Sequence, residues 1–228
     1  MKNVKLIILG LLISFNGTAQ LNEEPFVRKS IIKYSPLDLI AGDLKFSFEQ
    51  QLSRQSSIEI ELGPTLSEVT GVELTPFDPD FLSGNVYSPS GILSERQTGL
   101  GFLASVGFRY YLLEGYDRLN GFYISPIFKH KVYNTTVSET NYTDVTAKSS
   151  KMISSFQFNF GVQIKTKTAF SVEFHAGFGL GYMTKNSSDL YQYEDNFGNE
   201  QFDWYKTKTT SLIPAVNVGI KMGLATRK

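Results

Sequence analysis

From about residue 28 onward, apolar and polar side chains take turns along this chain, and a run of that kind must be a strand whose two faces meet different surroundings. Ala169 to Tyr182 carries the clearest instance: Phe170, Val172, Phe174, Ala176, Phe178, Leu180 and Tyr182 alternate with Ser171, Glu173, His175, Gly177, Gly179 and Gly181. Lys151 to Lys165 repeats it with Phe156, Phe158, Phe160, Val162 and Ile164 on one face, and Thr98 to Leu112 with Leu100, Phe102, Val106, Phe108 and Tyr110. Shorter runs fall at Lys29 to Pro36, Asp43 to Leu52, Ser57 to Leu66, Phe122 to Tyr133 and Leu212 to Leu224. That predicts about eight strands in an all-β domain.

The connections also alternate. Ser53 to Ser56, Leu113 to Gly121 and Thr166 to Thr168 are short, and Leu37 to Gly42 is brief. Ser67 to Gln97, Asn134 to Ser150 and Lys185 to Lys208 are long, polar and rich in Ser, Thr, Asn and Asp, and they read as loops. Short turns at one end and long loops at the other, with both termini at the turn end, describe a closed antiparallel up-and-down barrel.

A soluble barrel would turn the apolar face inward, and a membrane barrel would turn it outward. Bulk separates the two. An eight-stranded barrel is only just wide enough for its own side chains, and Phe and Tyr on nearly every strand would overfill it. The opposite face is Gly, Ser, Asn and Gln interrupted by a few charges, which suits a narrow lumen. The expected fold is therefore a transmembrane β-barrel with the even-numbered residues facing lipid.

The first residues carry a separate signal. Lys2 and Lys5 precede an apolar run from Leu6 to Phe15, and Gly17, Thr18 and Ala19 form a small-residue cleavage site, so residues 1–19 read as a secretory signal peptide and 20–228 as one barrel domain. The run is far shorter than the ~20 residues of a membrane-spanning helix. The chain has no cysteine, which excludes disulfides, thiolate metal sites and a Cys nucleophile. Lys plus Arg equals Asp plus Glu at 22 each, so no basic field exists to draw in nucleic acid. No zinc-ligand spacing or phosphate-binding glycine loop occurs, and no cofactor or metal is expected.

The inward face collects Lys33, Lys45, Glu49, Glu59, Glu61, Arg109, Lys129, Lys165, Glu173 and Lys221. Buried charges must be paired, so these predict an ion-pair network that plugs the lumen; a polar path for protons or ions is the sharper alternative, and Glu59 with Glu61 offers a carboxylate pair. Among the two histidines, His175 points to the lumen and His130 to the lipid side. If Tyr133 pairs with Lys151, His130 lies opposite Ser154, and the two are the candidates for a catalytic pair. No acid is positioned to orient the imidazole unless Glu139 or Asp144 serves.

Aromatics cluster at Phe77 and Phe81, beside Pro79, and at Tyr191, Tyr193, Phe197, Phe202, Trp204 and Tyr205. They fit a recognition surface or, for Trp204 and Tyr205, an interfacial girdle.

The segment Ile31-Ile32-Lys33-Tyr34-Ser35-Pro36-Leu37 followed by Leu44-Lys45-Phe46-Ser47-Phe48-Glu49, within an exported eight-strand pattern, resembles the outer-membrane β-barrel families of Gram-negative bacteria, OmpA-like and OmpX-like in architecture. The resemblance covers Val27 to Leu224. It departs where members commonly end on an aromatic residue, since this chain ends Leu224-Ala225-Thr226-Arg227-Lys228. It implies a monomer in the outer membrane, in contact with lipid and lipopolysaccharide, with an extracellular partner engaged through 67–97 and 185–208. The expected role is structural or surface interaction. A lipid-modifying enzyme, in which Ser154 and His130 resemble the pair of outer-membrane lipid A deacylases, and a small pore are the alternatives.

Overall fold

The computed structural model describes residues 30–40, 42–65, 94–112, 119–139, 146–166, 169–194, 197 and 200–226. The segment read as a signal peptide and most of 67–97, with Phe77, Pro79 and Phe81, lie outside them.

Eight strands follow one another as β1 (Ser30–Tyr34), β2 (Phe46–Gln51), β3 (Ser56–Thr65), β4 (Ser94–Tyr111), β5 (Gly121–Glu139), β6 (Thr146–Lys165), β7 (Phe170–Glu194) and β8 (Glu200–Thr226), with one helical turn, α1 (Pro36–Ile40), after β1. Each pairs antiparallel with its sequence neighbours, and β1 pairs with β8 from Ser30↔Thr226 to Tyr34↔Met222, so the sheet closes on itself. No free edge remains in the closed belt.

The alternation sorts as the period-2 pattern requires. Phe46, Phe48, Ile60, Phe102, Phe128, Phe156, Phe158, Phe174 and Phe178 stand on the outer surface, each more than two-fifths exposed, whereas Lys33, Glu49, Glu59, Arg109, Glu173 and Lys221 are at most 1 % exposed inside. The even-numbered apolar face is outward and the charged face inward.

Local chemistry sets the ends. Ser53 Oγ accepts from the N–H groups of Gln55 (3.3 Å) and Ser56 (3.0 Å), tightening the β2–β3 turn. Pro36, with φ preset for a first helical turn, opens α1. Gly42 then closes it at φ 85°, donating to the Leu39 carbonyl (3.0 Å) while Asp43 donates to the Asp38 carbonyl (2.8 Å), a Schellman ending that only a residue at ease with positive φ makes cheaply.

Two sequence expectations are corrected here. The connection Leu37 to Gly42 contains a helical turn rather than loop alone. Asn134 to Ser150 and Lys185 to Lys208 are largely strand: β5 and β6 pair up to Ser138↔Thr146, and β7 and β8 up to Glu194↔Glu200. Their polar residues fall at both odd and even positions and their aromatics follow no period of two, so hydrophobic alternation vanishes although the ladder of backbone hydrogen bonds continues. The strands are consequently very unequal, 5, 6 and 10 residues for β1 to β3 against 25 and 27 for β7 and β8. Among the described residues, a low wall adjoins a tall hairpin.

Candidate functional site

The lumen is layered. At the turn end Ile31, Tyr111, Leu119 and Tyr123 form a small apolar floor. Directly above it β1, β2, β3, β4, β7 and β8 each contribute at least one buried charged residue to a packed ionic layer.

Arg109 lies at its centre. Its two terminal nitrogens each reach a Glu173 oxygen at 2.8 Å, a second bond from Nη2 goes to Glu59, and its guanidinium sits 4.3 Å from the Tyr123 ring centroid. Planar bidentate contact of this kind is what a guanidinium offers and an ammonium does not. Lys33 Nζ donates to Gln163 Oε1 at 2.6 Å and to Glu173, and stands 2.6 Å from Glu49 Oε2 as an ion pair. Lys221 joins Glu59 (2.8 Å) to Glu61, and Lys45 joins Glu61 (3.7 Å) to Asp38 (2.9 Å) on α1. Hydroxyls complete the shells: Tyr111 donates to Glu49 (2.7 Å), Tyr123 to Glu173 (2.6 Å), Ser105 to Glu61 (2.7 Å) and Ser57 to Glu49. Tyr123 fits because it lies over Gly161, where a Cβ would stand 2.4 Å from its hydroxyl.

Of the ten residues expected inside, eight join this layer: Lys33, Lys45, Glu49, Glu59, Glu61, Arg109, Glu173 and Lys221. Lys129 is buried on the same face, across from Ser105. Lys165 is placed differently, half-buried at the turn-end rim opposite Ser171, because its strand ends there. Sequence reasoning missed Tyr111, Tyr123 and Gln163, and also Lys131, which pairs with Asp43 at 2.8 Å above the layer. Parity was the available signal, since all four belong to inward runs already recognised.

Glu49, Glu59 and Glu173 bring carboxylate oxygens within 4.8 Å of one another, close enough to hold a metal ion. Lys33 Nζ already sits among all three, at 2.6 Å from Glu49, at 3.5 Å from Glu59 and in contact with Glu173. The triad is fitted to an ammonium.

A second arrangement lies on the outer face. Tyr133 pairs with Lys151, and His130 with Ser154; His130 Nδ1 and Ser154 Oγ are 2.8 Å apart, beside the Phe102 ring. Glu139 stands nine residues up the same strand, ~30 Å away, so it cannot orient the imidazole, and Asp144 lies outside the described residues. No protein family, curated protein or solved structure matches this chain. The site must be read from its own geometry.

Trp204 and Tyr205 stand eight and seven residues beyond Leu212 on β8, ~25 Å along the strand, and Tyr182 pairs with Leu212 at the top of the continuous apolar run.

Proposed function

We propose that this chain is an outer-membrane β-barrel with a structural or surface-interaction role, exported by residues 1–19, plugged by its ionic layer, and reaching partners outside the cell through its tall strands. The observation that carries the reading is the face assignment: bulky aromatics outside, compensated charges within. On β5 the outward run from Phe122 to Val132, apolar but for His130, rises roughly 26 Å for a strand tilted about 40°, close to the ~25 Å apolar band of such barrels. In water the same surface would expose an apolar patch far larger than soluble monomers carry. Lipid, lipopolysaccharide and an extracellular ligand at the β7–β8 hairpin are the proposed partners, with the barrel acting as a monomer.

Because the chain has no cysteine, single cysteines report the environment cleanly. Residue 174, labelled with a lipid-quenchable fluorophore in reconstituted vesicles, should be quenched by brominated acyl chains, and residue 177 should not. Equal quenching at both would end the membrane reading.

A lipid-ester hydrolase is a second reading, favoured by the 2.8 Å His130–Ser154 contact on the acyl-facing surface. It lacks an acid at His130 among the described residues. Expression of the wild type in a host with known lipid A, followed by mass analysis, tests it; acyl chains left intact remove it. Conduction as a small pore is opposed by the filled lumen.

A further inference from the structure

Above the apolar face, the polar part of β6, β7 and β8 carries an uneven distribution of charge. Ser150 pairs with Asn186 and Asn186 with Lys208, the Asn186 amide donating to Ser150 Oγ at 3.1 Å. One row higher Ser188 pairs with Lys206, and its hydroxyl donates to the Lys148 carbonyl at 3.1 Å while its N–H donates to Ser149 Oγ at 3.1 Å. Lys148 and Lys206 therefore flank Ser188 across three strands, with Lys208 two residues below Lys206 on the same face. All three lysines are exposed. Strand spacing sets the Cα atoms of Lys148 and Lys206 about 10 Å apart and those of Lys206 and Lys208 about 7 Å apart, a triangle over a floor of hydroxyl and amide groups.

The rest of the rim at this height differs. β5 offers Asn134 and Thr136 there, so among the described side chains the outward lysines fall on one arc. Below that arc, past the row of Thr184 and Thr210, the surface turns apolar, with Tyr182 56 % exposed and Leu212 70 % exposed in one row and Leu180 61 % exposed beneath. A cationic triangle standing on an apolar wall has the complement of a molecule that is anionic at one end and acylated at the other.

We infer that Lys148, Lys206 and Lys208 form a docking surface for the phosphate groups of an outer-leaflet lipid whose acyl chains lie along Tyr182, Leu180 and Leu212. This rests on the membrane reading above and adds to it a named partner chemistry. Charge complementarity and continuity with the apolar wall argue for it; a soluble phosphate would use the lysines but not the wall.

The test uses the full mature chain refolded in detergent and in vesicles, with lipid A bearing two phosphates and the same lipid dephosphorylated as probes, and retained lipid counted by native mass spectrometry. The wild type should retain the phosphorylated form at least tenfold over the other. Each Lys→Ala change should lower retention about fivefold, and the triple Lys148→Ala/Lys206→Ala/Lys208→Ala about a hundredfold, while Arg54→Ala, in the turn at the opposite end, should leave it unchanged. The triple Lys→Arg variant guards against a folding defect, since it keeps the charge and should keep the lipid. Equal retention of both lipids by a folded wild type, undiminished retention by the Ala triple, or loss in the Arg triple overturns the inference. Millimolar inorganic phosphate that displaces the lipid fully would overturn it as well, by showing that the wall contributes nothing. A wild type that does not insert as a folded barrel fails the membrane reading instead, so the two failures are distinct.

Discussion

Arg109 on β4 and Glu173 on β7, 64 positions apart in the chain, face each other across the lumen in a two-pronged contact with both distances at 2.8 Å. Removing one member of a buried pair leaves the other charged and uncompensated, which costs about 3 to 5 kcal/mol. Arg109→Met should therefore lower unfolding stability by about that amount, because it exposes Glu59 as well as Glu173 to the loss. Arg109→Lys should fall between, as an ammonium keeps the charge but not the paired geometry. Urea unfolding in detergent, followed by the gel shift between folded and heated protein, measures both; an Arg109→Met barrel as stable as wild type would remove the cross-brace from this account.

The same layer bears on conduction. Lys33, Glu49, Glu59, Arg109, Glu173 and Lys221 fill the lumen section at no more than 1 % exposure each, and an eight-stranded ring leaves no spare aqueous channel. Planar-bilayer recording of the purified barrel should show no steady conductance. Stable, ion-selective steps would mean that the plug moves or that the layer conducts.

Much of this was readable from residues alone, for a physical reason. Where one face of a strand meets an apolar environment, the pleat writes that fact into the sequence with period 2, which is why the faces of Phe174 and Glu173 and the cross-strand meeting of His130 with Ser154 follow from parity and one assumed register. Above the apolar face the environment is the same on both sides, so nothing in Lys185 to Lys208 distinguishes a strand from a loop. The helical turn at Pro36 is too short for any period to register. The partners of Arg109 depend on strand order around the ring, and that is a property of closure rather than of any single strand.

Strand continuation above the apolar face makes a prediction of its own. Among the described residues, the β7–β8 ladder beyond Asn186↔Lys208 pairs with itself and, through Ser188, bonds to the top of β6. Replacing residues 187–207 by Asn-Gly, the favoured two-residue hairpin turn, should leave a barrel that still closes through Ser30↔Thr226 and still shifts on heating. If the trimmed chain fails to fold in detergent, the tall hairpin is part of the folding unit and not an appendage available for partners.

The most discriminating pair of changes is on β7, where Phe174 and Gly177 stand on opposite faces. Phe174 is 46 % exposed, between Val162 and Ile220 on the outer surface. If the outer face meets acyl chains, as proposed above, an arginine there near mid-membrane should cost roughly 2 to 4 kcal/mol. Gly177 faces inward between Asn159 and Asn217, and a Cβ would stand 1.9 Å from Asn159 Oδ1 and 2.8 Å from Asn217 Oδ1. Gly177→Ala is tolerable once the Asn159 amide swings aside, because only the end of a flexible side chain is displaced. Gly177→Arg adds a long cation to a section that is already full, and overpacking of this kind should cost at least 1 to 3 kcal/mol, about the range for extra bulk in a packed core. Rescue separates the mechanisms: Asn159→Gly should recover part of the loss in Gly177→Arg and none of that in Phe174→Arg, as read from unfolding midpoints in lipid. The opposite pattern, with arginine neutral at 177 and disruptive at 174 in detergent-free buffer, would place water rather than side chains next to Gly177 and turn the barrel into a soluble one.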